Sequence, residues 1–188
     1  MKRLLYALPV LGFAVLAYFL FKGLNGPPPS VLPVVMVDKP IPTVNVPALD
    51  AATRGFGPED FGHGKVVVLN VFSSTCIPCR LEAPALDRFA KMPGVTMYGL
   101  AWKDAPDKAR AFLDDVGNPF MRIGQDVDGR AGLQWGVFGW PETYVVDGKG
   151  VIRAHFVGAI TEGGTADGGS WSLKGDLLPA IERARAAM

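Results

Sequence analysis

Hydrophobic residues fall along this chain in three patterns, each predicting a different kind of element. The first is an unbroken apolar run from Leu4 to Phe21, 18 positions without a charge. Coiled as a helix at ~1.5 Å per residue, the run spans about 27 Å, close to the hydrocarbon thickness of a bilayer. Lys2, Arg3 and the terminal amine precede it and only Lys22 follows closely. This bias keeps the N-terminus in the cytoplasm and exports the rest. A cleaved signal peptide is the competing reading. Its apolar region is shorter, ~7–15 residues, and ends in a small-residue cleavage site. Lys22-Gly23-Leu24-Asn25-Gly26-Pro27 is a poor one. Pro27-Pro28-Pro29, Pro33 and Pro40 then remove donors and favour extended polyproline geometry, as in a semi-rigid spacer. The expected organisation is an anchor over 1–22, a spacer over 23–41 and a folded domain over 42–188. Val34 to Val37 is a candidate edge strand.

The second pattern is the short continuous apolar run, expected of strands covered on both faces. Lys65 to Phe72 (KVVVLNVF) is the strongest such segment and Val95 to Trp102 the next. Thr43 to Leu49 and Met121 to Ile123 read as further strands, and the glycine-rich Gly55 to Gly64 as loop. Thr143 to Val146 and Val151 to Val157 flank Asp147-Gly148-Lys149-Gly150, a hairpin turn. The third pattern is helical spacing. Leu81, Ala85, Leu86 and Phe89 mark a helix over Arg80 to Lys91, and Pro106 to Val116 and Asp176 to Ala187 predict two more. Pro106 lies near its helix start, where a missing amide hydrogen costs little. A strand–helix–strand unit implies a parallel pair and the hairpin an antiparallel one. The fold class is therefore α/β, a mixed sheet with helices on both faces.

Charge changes this picture only by exclusion. The 188 residues carry 19 basic and 18 acidic side chains, net +1, without the basic stripe a nucleic-acid binder needs. Cysteine changes it more. The chain has two, Cys76 and Cys79. A structural bridge between them would close almost no loop, so the spacing points to a redox pair. Cys76 directly follows a buried strand and opens a helix. There its sulfur meets the positive end of the helix dipole and free amide donors, both of which favour thiolate. Cys79, one turn along, can resolve a mixed disulfide with Cys76, the expected nucleophile. Pro78 fixes a backbone angle at the helix start. The rival reading, half of a zinc site, needs four ligands. Beyond the cysteines there are only His63 and His155, neither at ligand spacing.

The segment Val68 to Phe72 through Cys76-Ile77-Pro78-Cys79-Arg80-Leu81-Glu82-Ala83-Pro84 resembles the thioredoxin superfamily. Gly117-Asn118-Pro119-Phe120 and Gly136-Val137-Phe138-Gly139-Trp140-Pro141-Glu142-Thr143 narrow the resemblance to the DsbE/CcmG family, over about Leu32 to Leu178. The resemblance implies a thioredoxin-like fold in which Pro141 is a cis-proline facing the dithiol and Trp140 pairs with a substrate strand. It implies a thiol:disulfide oxidoreductase with no cofactor, single-pass in the bacterial inner membrane with its domain in the periplasm. The expected client is apocytochrome c or another cytochrome c maturation thiol protein, with electrons arriving from a membrane thiol transporter. Relatives carry Trp where this chain has Thr75. Asn70 stands where thioredoxin has a buried aspartate, which leaves Glu82 and Glu142 as candidates for an acidic active site. Each is also readable as an ordinary polar residue. Arg80 is a candidate thiolate partner or plain surface. Asn70 reads as a core polar group, His63 as an exposed loop residue and His155 as strand surface. Trp102, Trp135 and Trp171 read as packing, and Gly139 as a bend before the proline. Two further readings share the fold: an oxidant or reductant for another exported client, and a copper-site assembly chaperone.

Overall fold

In a computed structural model the chain is described at residues 2–24, 36–165 and 170–187. It forms two compact units, Met1–Val34 and Val35–Met188. In the first, helix α1 (Lys2–Leu24) carries Pro9 inside it and Lys22 in its last turn. Its described side chains are Pro9 and those from Leu11 to Lys22. Among the described residues no helix is long and apolar enough to cross a membrane. The described side chains cover fewer positions than the 18-residue run from Leu4 to Phe21, so the expected anchor rests on the sequence. Residues 25–35, which hold most of the expected spacer and half of the Val34–Val37 strand, lie outside the described residues. Met36 and Val37 form a turn.

The second unit is built on strands β1 (Val67–Phe72), β2 (Met97–Trp102), β3 (Arg122–Asp126), β4 (Glu142–Val146) and β5 (Ile152–Val157). Their order is β3-β2-β1-β4-β5, with β1–β2 and β2–β3 parallel and β1–β4 and β4–β5 antiparallel. This is the expected mixed sheet, and β1 is its central, fully buried strand. Alternation along β1 sends Val67, Leu69 and Val71 into one core and Val66 and Val68 into the other. Helices α2 (Ile77–Ala90), α3 (Pro106–Val116) and α5 (Leu178–Ala186) cover the second face. The short α4 (Arg130–Trp135) and the 46–61 segment cover the first.

Several expectations need correction. Thr43 to Leu49 forms only isolated bridges, Val46 to Phe56 and Ala48 to Gly124, because Pro47 has no amide hydrogen to continue a ladder. Leu81 is 68% exposed. Ala85, Leu86 and Phe89 are buried as expected, and Cys79, Glu82 and Ala83 complete the buried face of α2. Three elements were not expected: α4, the small parallel pair β6 (Ala159–Thr161) and β7 (Ser170–Ser172), and a π-helical turn at Leu173–Leu177 leading into α5. Helix α4 has six residues between Gly129 and Gly136, both at φ 77°, too short to show a period.

Below the sheet end that carries the β4–β5 hairpin, Asp147 is fully buried. Its carboxylate accepts hydrogen bonds from the amides of Lys149 and Val151, each at 2.9 Å, and from Arg153 Nε at 2.7 Å. Arg153 also reaches Asp38 at 2.9 Å. Asp38 donates its amide to Ile152, Ile152 donates back to Lys39, and Ile41 donates to Gly150, so the incoming chain is stitched to this hairpin. Leu69 has no exposed surface in the strand that joins both layers. Leu69→Ala is expected to cost about 2–5 kcal/mol in urea unfolding followed by tryptophan fluorescence.

Candidate active site

Strand β1 ends at Phe72, and a four-residue turn, Ser73 to Cys76, leads into α2. Asp104, just past β2 and 7% exposed, holds that turn through Ser74, accepting hydrogen bonds from its amide and, at 2.9 Å, its hydroxyl. The Gln125 side chain, on β3, in turn donates to the Asp104 carbonyl at 2.7 Å. Sequence reading missed Asp104, because nothing in Lys103-Asp104-Ala105-Pro106 marks it apart from an ordinary helix start.

Cys76 caps α2, and its sulfur accepts the Cys79 amide at 3.0 Å. The two cysteines form a disulfide. Both are nearly covered in this oxidised state, Cys76 at 5% and Cys79 at 2% exposure, so the expected exposed nucleophile is in fact largely screened. Thr75, Ile77 and Pro78 form the open rim around them. Arg80 is not aimed at the sulfur. It pairs with Asp115 of α3 and lies over the Phe112 ring.

Glu82 lies one turn beyond Cys79 on the buried stripe and is 1% exposed. Its carboxyl accepts hydrogen bonds from Asn70 Nδ2 at 2.9 Å and from the Ile160 amide of β6 at 3.0 Å. Burial pushes its pKa up to about 8, against the opposing pull of those two donors. Asn70, Cys79 and Glu82 line one small cavity of about 10 Å³, close to the room one water needs. Asn70 also donates to Thr143 Oγ1 at 3.1 Å, which leaves its own Oδ1 without a partner. Turning that amide by 180° presents Oδ1 to a protonated Glu82. An asparagine thus serves either protonation state of its neighbour without changing its own. A buried acid with a pKa near that of a thiol is suited to exchange a proton with Cys79 as the disulfide opens and closes.

The Trp140–Pro141 peptide is cis. Register pairs Val71 with Glu142, so Pro141 lies at the sheet end where β1 turns into the dithiol. Trp140 is 39% exposed and meets Trp102 edge-on at 5.5 Å. Trp102 is itself locked against α4, where a Cβ on Gly132 would come within 2.3 Å of its indole nitrogen. Glu142 is fully buried and accepts four hydrogen bonds: from the amides of Phe138 at 3.1 Å and Gly139 at 2.9 Å, the Tyr144 hydroxyl at 2.8 Å and His155 Nε2 at 2.8 Å. Burial, then the Glu142 charge, pushes the Tyr144 phenol well above its ordinary pKa and keeps it a donor.

His155 is therefore not strand surface, since its side chain is 2% exposed. The strand alternation hides this, because its charged partner is distant in sequence. His63 stays in an exposed loop and bonds the Glu59 carbonyl. Each histidine is engaged away from the cysteines, and among the described residues no group of three or more His, Cys, Asp or Glu could hold a metal ion.

Comparison with known proteins adds to this geometry. The AhpC/TSA family model matches residues 37–155. The chain is 38% identical to the thiol:disulfide interchange protein HelX of Rhodobacter capsulatus over 165 residues, 86% of this chain and 91% of that one. It is 38% identical to the thiol:disulfide interchange protein DsbE of Pseudomonas aeruginosa, covering 86% and 88% of the two chains. This chain belongs to the DsbE family. Like its relatives it is a thiol:disulfide oxidoreductase, and its thioredoxin-like fold is shared with solved structures. A thioredoxin-family thiol:disulfide interchange protein from Chlorobium tepidum matches with a TM-score of 0.55 at 20% identity, covering 78% of this chain and 95% of that one. A DsbF homologue from Corynebacterium diphtheriae matches with a TM-score of 0.58 at 22% identity, covering 77% and 86%.

The raised Glu82 pKa makes stability depend on pH. The folded state holds this proton up to about 8 and the unfolded chain only to 4.5, so the folded state binds more protons in between and stability falls as pH rises through that window. Glu82→Gln has no such proton to lose. Its stability relative to the parent protein should climb, by on the order of a few kcal/mol, between pH 4.5 and 8 and then level off. Chemical unfolding of both oxidised proteins across that range checks it; parallel profiles would refute the assignment.

Proposed function

We propose that this DsbE-family protein is a membrane-anchored dithiol reductant of cytochrome c biogenesis, acting in the periplasm on the haem-attachment cysteines of apocytochrome c or on another maturation thiol protein. The observation that carries the reductant reading is Glu82 sharing one small cavity with Cys79. The apolar burial that keeps Glu82 protonated up to about 8 penalises charge at the neighbouring Cys79 as well, so it disfavours the Cys79 thiolate and favours the disulfide product. A protein that prefers its own disulfide gives its electrons away.

The exchange runs in two steps. The Cys76 thiolate attacks one sulfur of the client disulfide, forming a Cys76–client bond and releasing the client's other sulfur as thiolate. Cys79 then passes its proton to the ionised form of Glu82 and attacks Cys76. The Cys76–Cys79 bond forms, the second client sulfur leaves as thiolate, and two electrons have moved to the client. Two electrons from a membrane thiol transporter restore the dithiol.

Anchoring follows from the run Leu4 to Phe21 and from the open side chains of α1, among them Leu11 at 65%, Phe13 at 73% and Phe19 at 64% exposure. Such a surface gains by burial in lipid. Positive charge before the run supports a cytoplasmic N-terminus with the thiol domain outside.

In the full chain, redox titration of Cys76/Cys79 should give a two-electron midpoint well below about −180 mV, whereas a midpoint near −120 mV would match a disulfide donor and overturn the reductant reading. A Cys79→Ser variant should trap its client as a mixed disulfide. Recovery of apocytochrome c or a maturation protein supports the assignment, and recovery only of unrelated exported proteins rejects it.

A further inference from the structure

The buried pair Glu142–His155 is used by neither step of the exchange. It lies behind the loop Phe138 to Pro141, and its hydrogen bonds divide unevenly. One carboxylate oxygen, Oε1, accepts both loop amides, Phe138 and Gly139. The other, Oε2, accepts Tyr144 and His155. An ionised carboxylate can only accept, so Nε2 of His155 carries the hydrogen and donates it. Nδ1 is buried without a partner, so the histidine's polar contact is with Glu142. The ring is clamped in place, stacked on Tyr144 at 4.0 Å and 13° and edge-on to Phe138 at 6.3 Å.

A carboxylate with no exposure keeps its charge only if it is well paired. Remove the imidazole, and Oε2 keeps the phenol alone in an apolar site. The carboxyl, no longer held on that side, is free to turn away from the two loop amides. Those amides immediately precede Trp140 and the cis-proline. Register places His155 of β5 opposite Tyr144 of β4. The edge strand thus acts on the loop through one carboxylate.

We propose that His155 is a positioning residue for peptide docking: through Glu142 it holds Phe138 and Gly139, and with them Trp140–Pro141, in the conformation that accepts the backbone of a disulfide-bearing peptide. This rests on the reading that client chain pairs beside Pro141. It does not depend on which client is used.

The test uses the full chain, reduced, with two oxidised peptides as substrates, one containing Cys-x-x-Cys-His and one with the same disulfide but no histidine. His155→Ala should raise KM for both by about tenfold, the size a lost charge-assisted hydrogen bond produces, with kcat within about twofold. His155→Gln, whose side-chain amide can donate to the same oxygen, should restore most of the loss. Hydrogen exchange at the Phe138 and Gly139 amides should accelerate in His155→Ala while the amides of β1 keep their protection. The proposal is overturned if KM is unchanged, if glutamine fails to rescue, or if exchange accelerates throughout the sheet, which would mark a merely structural role. If the unaltered protein reduces only the peptide without histidine, the cytochrome client falls and the role of His155 is still read on that peptide.

Discussion

The carboxyl of Glu82 accepts hydrogen bonds from Asn70 on the central strand and from the Ile160 amide on β6, and the surroundings of the dithiol are arranged about those contacts. The group lies where Leu86 and Phe89 continue the same helical stripe. Helix α2 must therefore stay in register with β1, because sliding it by one turn would strand a carboxyl among apolar side chains. The same constraint fixes Cys79 one turn earlier and Cys76 at the helix cap. Geometry at the sulfurs is thus enforced from within the core, and the rim residues Thr75, Ile77 and Pro78 are left open to the solvent.

Much of this was legible in the sequence because it depends on local pattern. The run Lys65 to Phe72 announces a strand covered on both sides, Pro106 to Val116 announces its helix, and the hairpin turn fixes an antiparallel pair. The two cysteines at helix-cap spacing announce the chemistry. What escaped depends on partners far apart in the chain. Glu82 and Glu142 could be named as candidates, but their burial could not be read, since an acid on a helix or strand is ordinarily solvated. His155 was misplaced for the same reason: its carboxylate lies 13 residues away across a hairpin. Asp104 reaches Ser74 over 30 residues and leaves no local trace. Helix α4 is shorter than two turns, and Leu81, apolar and at plausible spacing, faces outward next to the dithiol.

Among the described residues, three of the buried carboxyl groups serve separate parts of the domain. Asp147 gathers the amides of one hairpin turn together with Arg153, Glu142 gathers those of the cis-proline loop, and Glu82 joins helix, central strand and β6. Asp147 and Glu142 satisfy amides that a turn or loop would otherwise leave unpaired, at positions where no ladder continues. The three differ in what else surrounds them. Asp147 has a guanidinium, Glu142 an imidazole and a phenol, and Glu82 only neutral donors. At Asp147 burial is outweighed by the amides and the guanidinium, which hold the carboxyl below its ordinary range, whereas at Glu82 burial prevails and leaves an acid suited to proton transfer.

The chain enters the thiol domain along the β4–β5 hairpin, through the hydrogen bonds of Asp38, Lys39 and Ile41 and the Asp38–Arg153 pair. That hairpin closes the end of the sheet opposite to the one bearing Cys76 and Pro141. Tension arriving from the N-terminal side is taken up there, by backbone bonds loaded side by side and by an ion pair rooted in a buried aspartate. The redox pole stands a full strand length from the point of attachment. A pull on the entering chain is therefore met at one pole of the domain, while the sulfurs occupy the other.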